Sequence, residues 1–222
     1  MKHSRLASAI LLLLCFSTNA QTVLPDDGQV KDGLYVSSYF SFAYRYPKDW
    51  TAHEEAINER IRKRAKDEAA NSGTSSEMKN IYLLFTVSRH ARGTPGTGLN
   101  PTILIIAEKI GDGPGKFDGK DYLLSLRPAQ IEGGAKTLLK EPVEFGVNGF
   151  RFFRDDYDAE LQGVSMRKAL FAVVMKGYAV AFSLAGEDQK TLDEMVESMK
   201  TILPVGTGPG LAPTATPQRK PD

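Results

Sequence analysis

The chain has 222 residues, a formal net charge of +1 at pH 7 and one cysteine, Cys15. Such a balance of charge gives no electrostatic case for nucleic acid or an anionic lipid surface as a partner. Because Cys15 lies in a predicted export signal, the mature chain would lack disulfides, thiolate nucleophiles and thiolate metal sites. A chain of this length can still bury a full core.

The first 20 residues have the three parts of a secretory signal. Lys2, His3 and Arg5 are positive, residues 7–16 are almost entirely apolar, and small residues lead up to Ala20. The apolar run is shorter than the roughly 20 residues that span a bilayer. We therefore predict cleavage near Ala20, an extracytoplasmic location (periplasmic or secreted), and no integral membrane segment in the mature protein.

Cys15 offers an alternative, because a cysteine after an apolar run resembles a bacterial lipoprotein site. Such sites have Gly, Ala or Ser before the cysteine, whereas Leu14 stands here. Cleavage there would also leave a very short signal. We therefore expect no lipid anchor, and a membrane-tethered lipoprotein remains the alternative.

The mature chain begins with a polar, turn-rich segment, residues 21–33, which we predict to be a flexible lead-in. Residues 34–46 are dense in aromatic and β-branched side chains and predict one strand, with Phe40, Phe42 and Tyr44 on its buried face. Pro47 ends this strand.

Residues 54–70 change character, being rich in Ala, Glu, Lys and Arg and free of Gly and Pro. Ile57, Ile61, Ala65 and Ala69 recur every fourth residue and form one helical stripe. The pattern predicts an exposed helix whose mixed charges suit solvent better than nucleic acid or lipid.

The remainder reads as further strands and two helices. One helix is predicted over 121–131, with Pro128 bending or ending it, and the other over 188–202. Asn148-Gly149 and Lys176-Gly177 are signals for tight turns between strands. Strands are predicted over 81–89, 102–109, 136–144, 150–161, 165–175 and 178–185.

These elements predict one domain over residues 34–203, followed by a disordered tail, 204–222, rich in Pro, Gly and Thr. Strands linked by tight turns favour a mostly antiparallel sheet of about six or seven strands, with helices packed on its faces. The predicted fold class is therefore α+β, and we expect a monomer.

Two segments resemble the PsbP-like family. Tyr39-Phe40-Ser41-Phe42 followed by Tyr46-Pro47-Lys48-Asp49-Trp50 is similar to its opening strand and turn, and Val147-Asn148-Gly149-Phe150-Arg151 to the start of a later strand. The resemblance covers residues 34–203. It implies an α/β/α sandwich, shared with the extrinsic photosystem II protein and a Ran-binding import factor. It also implies a non-enzymatic role in binding or stabilising other proteins. The helix over 54–70 resembles an insertion.

The sequence predicts no catalytic residue and no cofactor. His53 and His90 are isolated and lack metal-ligand spacing. Residues 111–117 superficially resemble a phosphate loop, but their glycine spacing is wrong and Phe117 stands where a hydroxyl is required.

Two sets of residues remain as candidates for a site. Asp156, Asp158 and Glu160 share one face of a predicted strand and could bind a cation, although a solvated strand face or hairpin end is the favoured interpretation. The aromatic side chains Tyr39, Tyr46 and Trp50 could form a binding surface, although aromatic residues at strand spacing usually belong to a core.

Together these features favour an exported, non-enzymatic module that binds, assembles or stabilises an unknown protein or small ligand. The alternatives are an extracytoplasmic enzyme, hydrolase-like, with a site built from dispersed residues, and the lipoprotein tethered through Cys15.

Overall fold

The computed structural model describes residues 25, 28–53, 81–91, 93–94, 98–110, 117–138, 141–161 and 163–205. The predicted export signal and the predicted helix over 54–70 lie outside the described residues. In the described part, neither helix has the length and apolar character that a bilayer crossing needs.

The described chain is an α+β fold with two antiparallel sheets and two helices. The helices are α1 (Gly119–Glu132) and α2 (Gln189–Met199). The strands are β1 (Gln29–Lys31), β2 (Leu34–Ser37), β3 (Phe42–Arg45), β4 (Thr51–Ala52), β5 (Ile81–Ser88), β6 (Thr102–Lys109), β7 (Ala135–Leu138), β8 (Val143–Val147), β9 (Phe150–Leu161), β10 (Val164–Met175), β11 (Tyr178–Gly186) and β12 (Leu203–Pro204).

The main sheet has eight strands in the order β4-β5-β6-β11-β10-β9-β7, and β8 also pairs with β9. A second sheet has four strands in the order β1-β2-β3-β12. The sequence analysis predicted one sheet of about six or seven strands, so both the size of the main sheet and the existence of the second are corrections. Two segments that were each predicted as one strand, 34–46 and 136–144, are two strands each in the structure.

The segment predicted as one strand over 34–46 is a hairpin, because the chain reverses between β2 and β3. Ser41 has a φ of 57°, and the Phe40 backbone N–H donates to Ser37 Oγ at 3.2 Å. No Gly, Pro or Asn signals this turn. Phe42 and Tyr44 are buried on β3 as predicted, whereas Phe40 is buried from the turn.

The predicted lead-in over 21–33 also needs correction, because part of it is a strand. Lys31 pairs with Leu34, and the two residues between them, Asp32 and Gly33, have φ values of 51° and 75°. Positive φ at both positions is the type I′ turn, for which Asp-Gly is a favoured pair. Strand pairing therefore begins at Gln29 in the described part of the chain.

The strand predicted over 136–144 is two strands, β7 and β8. Both pair with β9, β8 along its first half and β7 along its second. Asn148-Gly149 and Lys176-Gly177 form the predicted tight turns, with positive φ at both residues of each.

Helix α1 runs through Pro128 to Glu132, so Pro128 does not end it, and the helix is three residues longer than the predicted 121–131. Proline removes one backbone hydrogen bond, and tertiary contacts hold the part of the helix that precedes it. Tyr122 and Leu123 are buried against the sheet, and Arg127 binds Asp155 on β9.

The side chains of the main sheet form a core on each face. Along β10, Phe171 and Val173 join one cluster, whereas Leu170 and Ala172 join the other, because successive side chains of a strand point to opposite faces. The first cluster includes residues of α2 and the small sheet, and the second includes residues of α1.

The first two residues of the predicted tail over 204–222 bond to the small sheet. Leu203 and Pro204 pair with Ala43 and Phe42, and the Val205 N–H donates to the Ser41 carbonyl at 2.9 Å. Residues 206–222 lie outside the described residues.

A buried hydrogen bond ties the small sheet to α2. Tyr44 Oη lies 2.7 Å from Ser198 Oγ. The Ser198 hydroxyl donates to the Met195 carbonyl at 2.6 Å, so its single proton is used there and the Tyr44 phenol must be the donor. Burial raises the pKa of Tyr44 well above its ordinary value.

Tyr44→Phe is expected to lower the free energy of unfolding by about 1 kcal/mol, because Ser198 loses an accepted hydrogen bond without loss of packing. Urea unfolding of this variant, of Ser198→Ala and of the double variant measures the coupling. Additive effects of the two single changes would show that the contact contributes nothing.

Candidate functional site

Three tyrosines from three separate segments meet at one end of the main sheet. The ring centroids of Tyr39 and Tyr178 are 5.7 Å apart, and those of Tyr82 and Tyr178 are 5.9 Å apart, both pairs edge to face. With Lys109 and Lys176 they form what we call the tyrosine cluster. Tyr178 is buried, Tyr39 and Tyr82 are half-buried, and both lysines are exposed.

Strand register positions three members of the tyrosine cluster. Tyr178 opens β11 immediately after the Lys176-Gly177 turn and lies directly opposite Lys109 on β6. Tyr82 on β5 lies opposite Ala107, two residues before Lys109, and therefore on the same face of the sheet. Directly opposed side chains in antiparallel strands have Cβ atoms about 5 Å apart.

Tyr39 comes from the turn between β2 and β3, and Lys176 holds that turn. The Lys176 ammonium donates to the Tyr39 carbonyl, lies 3.4 Å from Ser41 Oγ and is 5.5 Å from the centroid of the Tyr39 ring. Lys176 has a φ of 52°, a conformation that Gly, Asn and Asp adopt more readily than lysine. The hairpin thus presents a cation where a conformationally easier residue would fit.

The Tyr178 phenol is neutral at physiological pH. Burial raises the pKa of Tyr178 to about 12, and hydrogen bonding with Tyr39 and Tyr82 adds to the rise. Neutral phenols can donate hydrogen bonds as well as accept them. The cluster combines phenolic donors with two lysine ammonium groups, and among the described residues no carboxylate forms an ion pair with either lysine.

Stability is expected to fall at alkaline pH as Tyr178 ionises. Its folded pKa of about 12 lies above the ordinary value of 10, so the folded state holds the proton more tightly than the unfolded state. This contribution is present below pH 10 and is lost as the pH rises through 12. Thermal unfolding followed from neutral to alkaline pH measures it.

Tyr178→Phe is the control for that titration, because phenylalanine cannot ionise. Its alkaline loss of stability should be smaller, with a remainder from Tyr157, whose pKa burial also raises to about 12. Identical pH profiles for the two proteins would contradict the assignment.

The structure spreads the predicted binding-surface residues Tyr39, Tyr46 and Trp50 along β5. Tyr39 lies near Tyr82 at its start, Tyr46 packs on Phe85 in its middle at 5.4 Å between ring centroids, and Trp50 lies near its end. The eight residues of β5 extend roughly 25 Å. Only Tyr39 therefore lies in the tyrosine cluster.

Trp50 forms a separate contact that links its turn to α2. The Arg89 guanidinium carbon lies 5.5 Å from the centroid of the Trp50 ring. Arg89 also binds Glu187 at 2.9 Å and Glu194 at 2.6 Å. Trp50 is 7% exposed, so it serves packing here rather than an open surface.

The acidic residues Asp156, Asp158 and Glu160 lie on the same face of β9, and each is paired with a cation. Asp156 binds Arg154 at 2.6 Å, Asp158 binds Arg167 at 2.8 Å, and Glu160 binds Lys136. Within the described residues no group of three or more His, Cys, Asp or Glu side chains is arranged to hold a metal ion.

His53 lies in a polar network that joins the ends of β4, β5 and β6. Its Nε2 is 2.8 Å from Ser88 Oγ, which is in turn 3.1 Å from Thr102 Oγ1. Ser88 is 2% exposed, so a substrate cannot reach its hydroxyl in this conformation. The backbone N–H and carbonyl of His90 bind the Asn100 side chain, and the Asn100 carbonyl accepts a hydrogen bond from Thr102 Oγ1 at 2.9 Å.

Sequence reasoning missed Tyr82, Tyr178, Lys109 and Lys176 as site residues. The Lys176-Gly177 turn was identified, and a lysine where Asn or Asp is usual was the available signal. The grouping itself depends on the pairing of β5, β6 and β11, which no local pattern specifies.

Solved structures that are similar to this chain have low sequence identity to it and TM-scores below 0.5. A cyanobacterial PsbP from Synechocystis sp. PCC 6803 is 10% identical over 79% of this chain and 95% of its own, with a TM-score of 0.47. LpqN of Mycobacterium tuberculosis, described as involved in cell envelope biogenesis, is 14% identical over 74% of this chain and 83% of its own, with a TM-score of 0.43.

A Pseudomonas aeruginosa protein of unknown function, described as a putative regulator, is 18% identical over 58% of this chain and 83% of its own, with a TM-score of 0.39. The family that the sequence resembles is thus represented among the similar structures, by the cyanobacterial PsbP. No protein-family model and no curated protein matches the sequence.

Proposed function

We propose that this chain is an exported, non-enzymatic module that binds or stabilises another protein, and that the tyrosine cluster is its contact surface. The main support for this proposal is the tyrosine cluster. Tyrosine offers a large, rigid, amphipathic contact area, and aromatic residues are enriched in the cores of protein interfaces. Here Tyr39 and Tyr82 are half-buried, so part of each ring remains available to a partner.

Export is supported by the N-terminal pattern of residues 1–20. The mature protein then begins at Gln21, is extracytoplasmic and monomeric, and carries no lipid. Intact mass and size-exclusion chromatography of protein recovered from the extracytoplasmic fraction test these points. A mass that includes a diacylglycerol-modified Cys15 would establish the tethered alternative instead.

The architecture proposed for the module is an α/β/α sandwich. Its support is that α1 packs on β9 and β10 whereas α2 packs on β10 and β11, and that the two helices contribute to separate core clusters. In this arrangement the small sheet lies beside α2 in the same outer layer.

The contact surface is tested by photo-crosslinking in cells that make the protein. A photoreactive amino acid replaces Tyr82, and a matched control replaces Val143, which is 53% exposed on β8. We expect a discrete adduct from position 82 that disappears when Tyr39→Ala is added. Equal adducts from both positions, or none from position 82, would reject the tyrosine cluster as the contact surface.

The second candidate is the extracytoplasmic enzyme, favoured by the 2.8 Å contact between His53 and Ser88. Nucleophilic catalysis needs a serine that a substrate can reach. Treatment with a fluorophosphonate probe should leave Ser88 unlabelled, and labelling that Ser88→Ala abolishes would establish the enzyme instead.

A further inference from the structure

Two exposed lysines belong to the tyrosine cluster, and neither forms an ion pair with a carboxylate among the described residues. Some exposed cations elsewhere bind carboxylates, as Lys120 binds Glu141 at 2.6 Å and Lys200 binds Glu197 at 2.6 Å. Other exposed lysines, such as Lys190, resemble Lys109 and Lys176 in having no ion pair within the described residues. The acceptors of Lys176 in this part of the chain, the Tyr39 carbonyl and the Ser41 hydroxyl, are neutral.

The two lysines flank the phenols on the same part of the surface. Lys109 is directly opposite Tyr178 across the β6–β11 pair, and the Lys176 ammonium lies against the Tyr39 ring. An ammonium and a neutral phenol both donate hydrogen bonds, and bonds from such donors to an ionised carboxylate are stronger than bonds between neutral groups.

We infer that the tyrosine cluster binds an acidic protein segment, whose Asp or Glu carboxylates are held by Lys109 and Lys176 and receive hydrogen bonds from the phenols. This inference rests on the proposed function, since it names the chemistry of the partner at the same surface. The aromatic rings contact the apolar parts of the segment, and the two lysines favour a segment that carries negative charge.

An anionic membrane surface fits the tyrosine cluster less well than an acidic protein segment does. Recognition of acidic lipids typically uses clusters of four to eight Lys or Arg residues, whereas the tyrosine cluster presents two lysines. The near-neutral charge of the whole chain adds no wider attraction toward such a surface.

The test uses the mature chain labelled with ¹⁵N, a glutamate-rich synthetic peptide and its glutamine counterpart. The glutamate peptide should shift the amide signals of Tyr39, Tyr82, Lys109, Lys176 and Tyr178, and its affinity should fall with added salt. The glutamine peptide should bind about tenfold more weakly or not at all. Equal binding of the two peptides, or shifts confined to another surface, would overturn the inference.

Charge reversal provides the matched comparison. Lys109→Glu with Lys176→Glu should weaken binding of the glutamate peptide at least about tenfold, while Lys190→Glu, an exposed lysine on α2, should leave it unchanged. Because Lys176 also supports its turn, Lys109→Gln alone is the second variant, and it should weaken binding about threefold. Unchanged affinity in Lys109→Gln and in the double variant would refute the inference.

Two further outcomes separate this inference from the proposed function. If the adduct from position 82 survives both charge reversals in cells, a partner binds there but its acidic character is refuted. If vesicles of anionic phospholipid shift the same amide signals and the glutamate peptide does not, the ligand is a lipid surface and the inference is overturned.

Discussion

Phe182→Ala is expected to lower the free energy of unfolding by about 3–5 kcal/mol, the usual range for removing a buried phenylalanine. Phe182 is fully buried on β11. Its ring centroid lies 5.9 Å from that of Phe42, 5.5 Å from that of Tyr44 and 5.7 Å from that of Phe152. The side chain therefore joins the small sheet, β9 and β11, and its loss leaves a cavity between them.

Urea unfolding followed by circular dichroism measures this effect. Phe117→Ala is the matched control, because Phe117 is 44% exposed and the same substitution there removes little packing, so a change within about 0.5 kcal/mol is expected. Comparable losses for the two variants would show that Phe182 does not link the two sheets energetically.

Arg127→Met is expected to destabilise the fold by about 3 kcal/mol, because it leaves a buried carboxylate without its partner. Asp155 is fully buried on β9. Arg127 donates to both of its oxygens, from Nε at 3.2 Å and from an Nη atom at 3.1 Å. This ion pair fixes α1 to the sheet one residue before Pro128, where the helix has lost a backbone hydrogen bond.

The control is a double variant that removes both partners of this ion pair. Arg127→Met combined with Asp155→Leu should recover most of the lost stability, because replacing a buried ion pair by apolar groups is often close to neutral. Urea unfolding of both single variants and the double variant yields the coupling energy. A double variant as unstable as the sum of the single changes would contradict the assignment.

The sequence predicted those elements whose local signals were strong. Asn148-Gly149 and Lys176-Gly177 lie between alternating strands and form the tight turns expected of them. Asp188, which caps α2 by accepting from the Thr191 N–H at 2.8 Å, stands at the predicted start of that helix. In these places one short stretch of chain holds enough information to determine the backbone conformation.

Where the prediction failed, distant contacts decide the structure. The reversal at Ser41 has no glycine, proline or asparagine to signal it, and it is held by Lys176 and Val205 from other parts of the chain. Pro128 weakens α1 locally, but Asp155 compensates from β9. Lys136–Glu144 reads as one strand because both of its parts are extended, and only their pairing with β9 separates them.

The candidate site likewise combines a residue that could be predicted from its own segment with residues that distant contacts bring to it. Tyr39 was recognised as a candidate from its own segment, whereas its neighbours Tyr82 and Tyr178 arrive through the register of β5, β6 and β11. Asp156, Asp158 and Glu160 were recognised as sharing a face, but their partners Arg154, Arg167 and Lys136 were not assigned. Long-range strand pairing thus determines which residues meet and, among the described residues, which charged side chains form ion pairs.

The pairing of β12 with β3 has a consequence for the order of folding during synthesis. Leu203 and Pro204 complete the small sheet by pairing with Ala43 and Phe42, so one edge of that sheet must wait until the far end of the described chain has emerged from the ribosome. The β9–β10–β11 meander closes through short turns and can form earlier, since local contacts cost less chain entropy. A chain truncated before Leu203 should therefore protect the meander from proteolysis while β3 remains accessible.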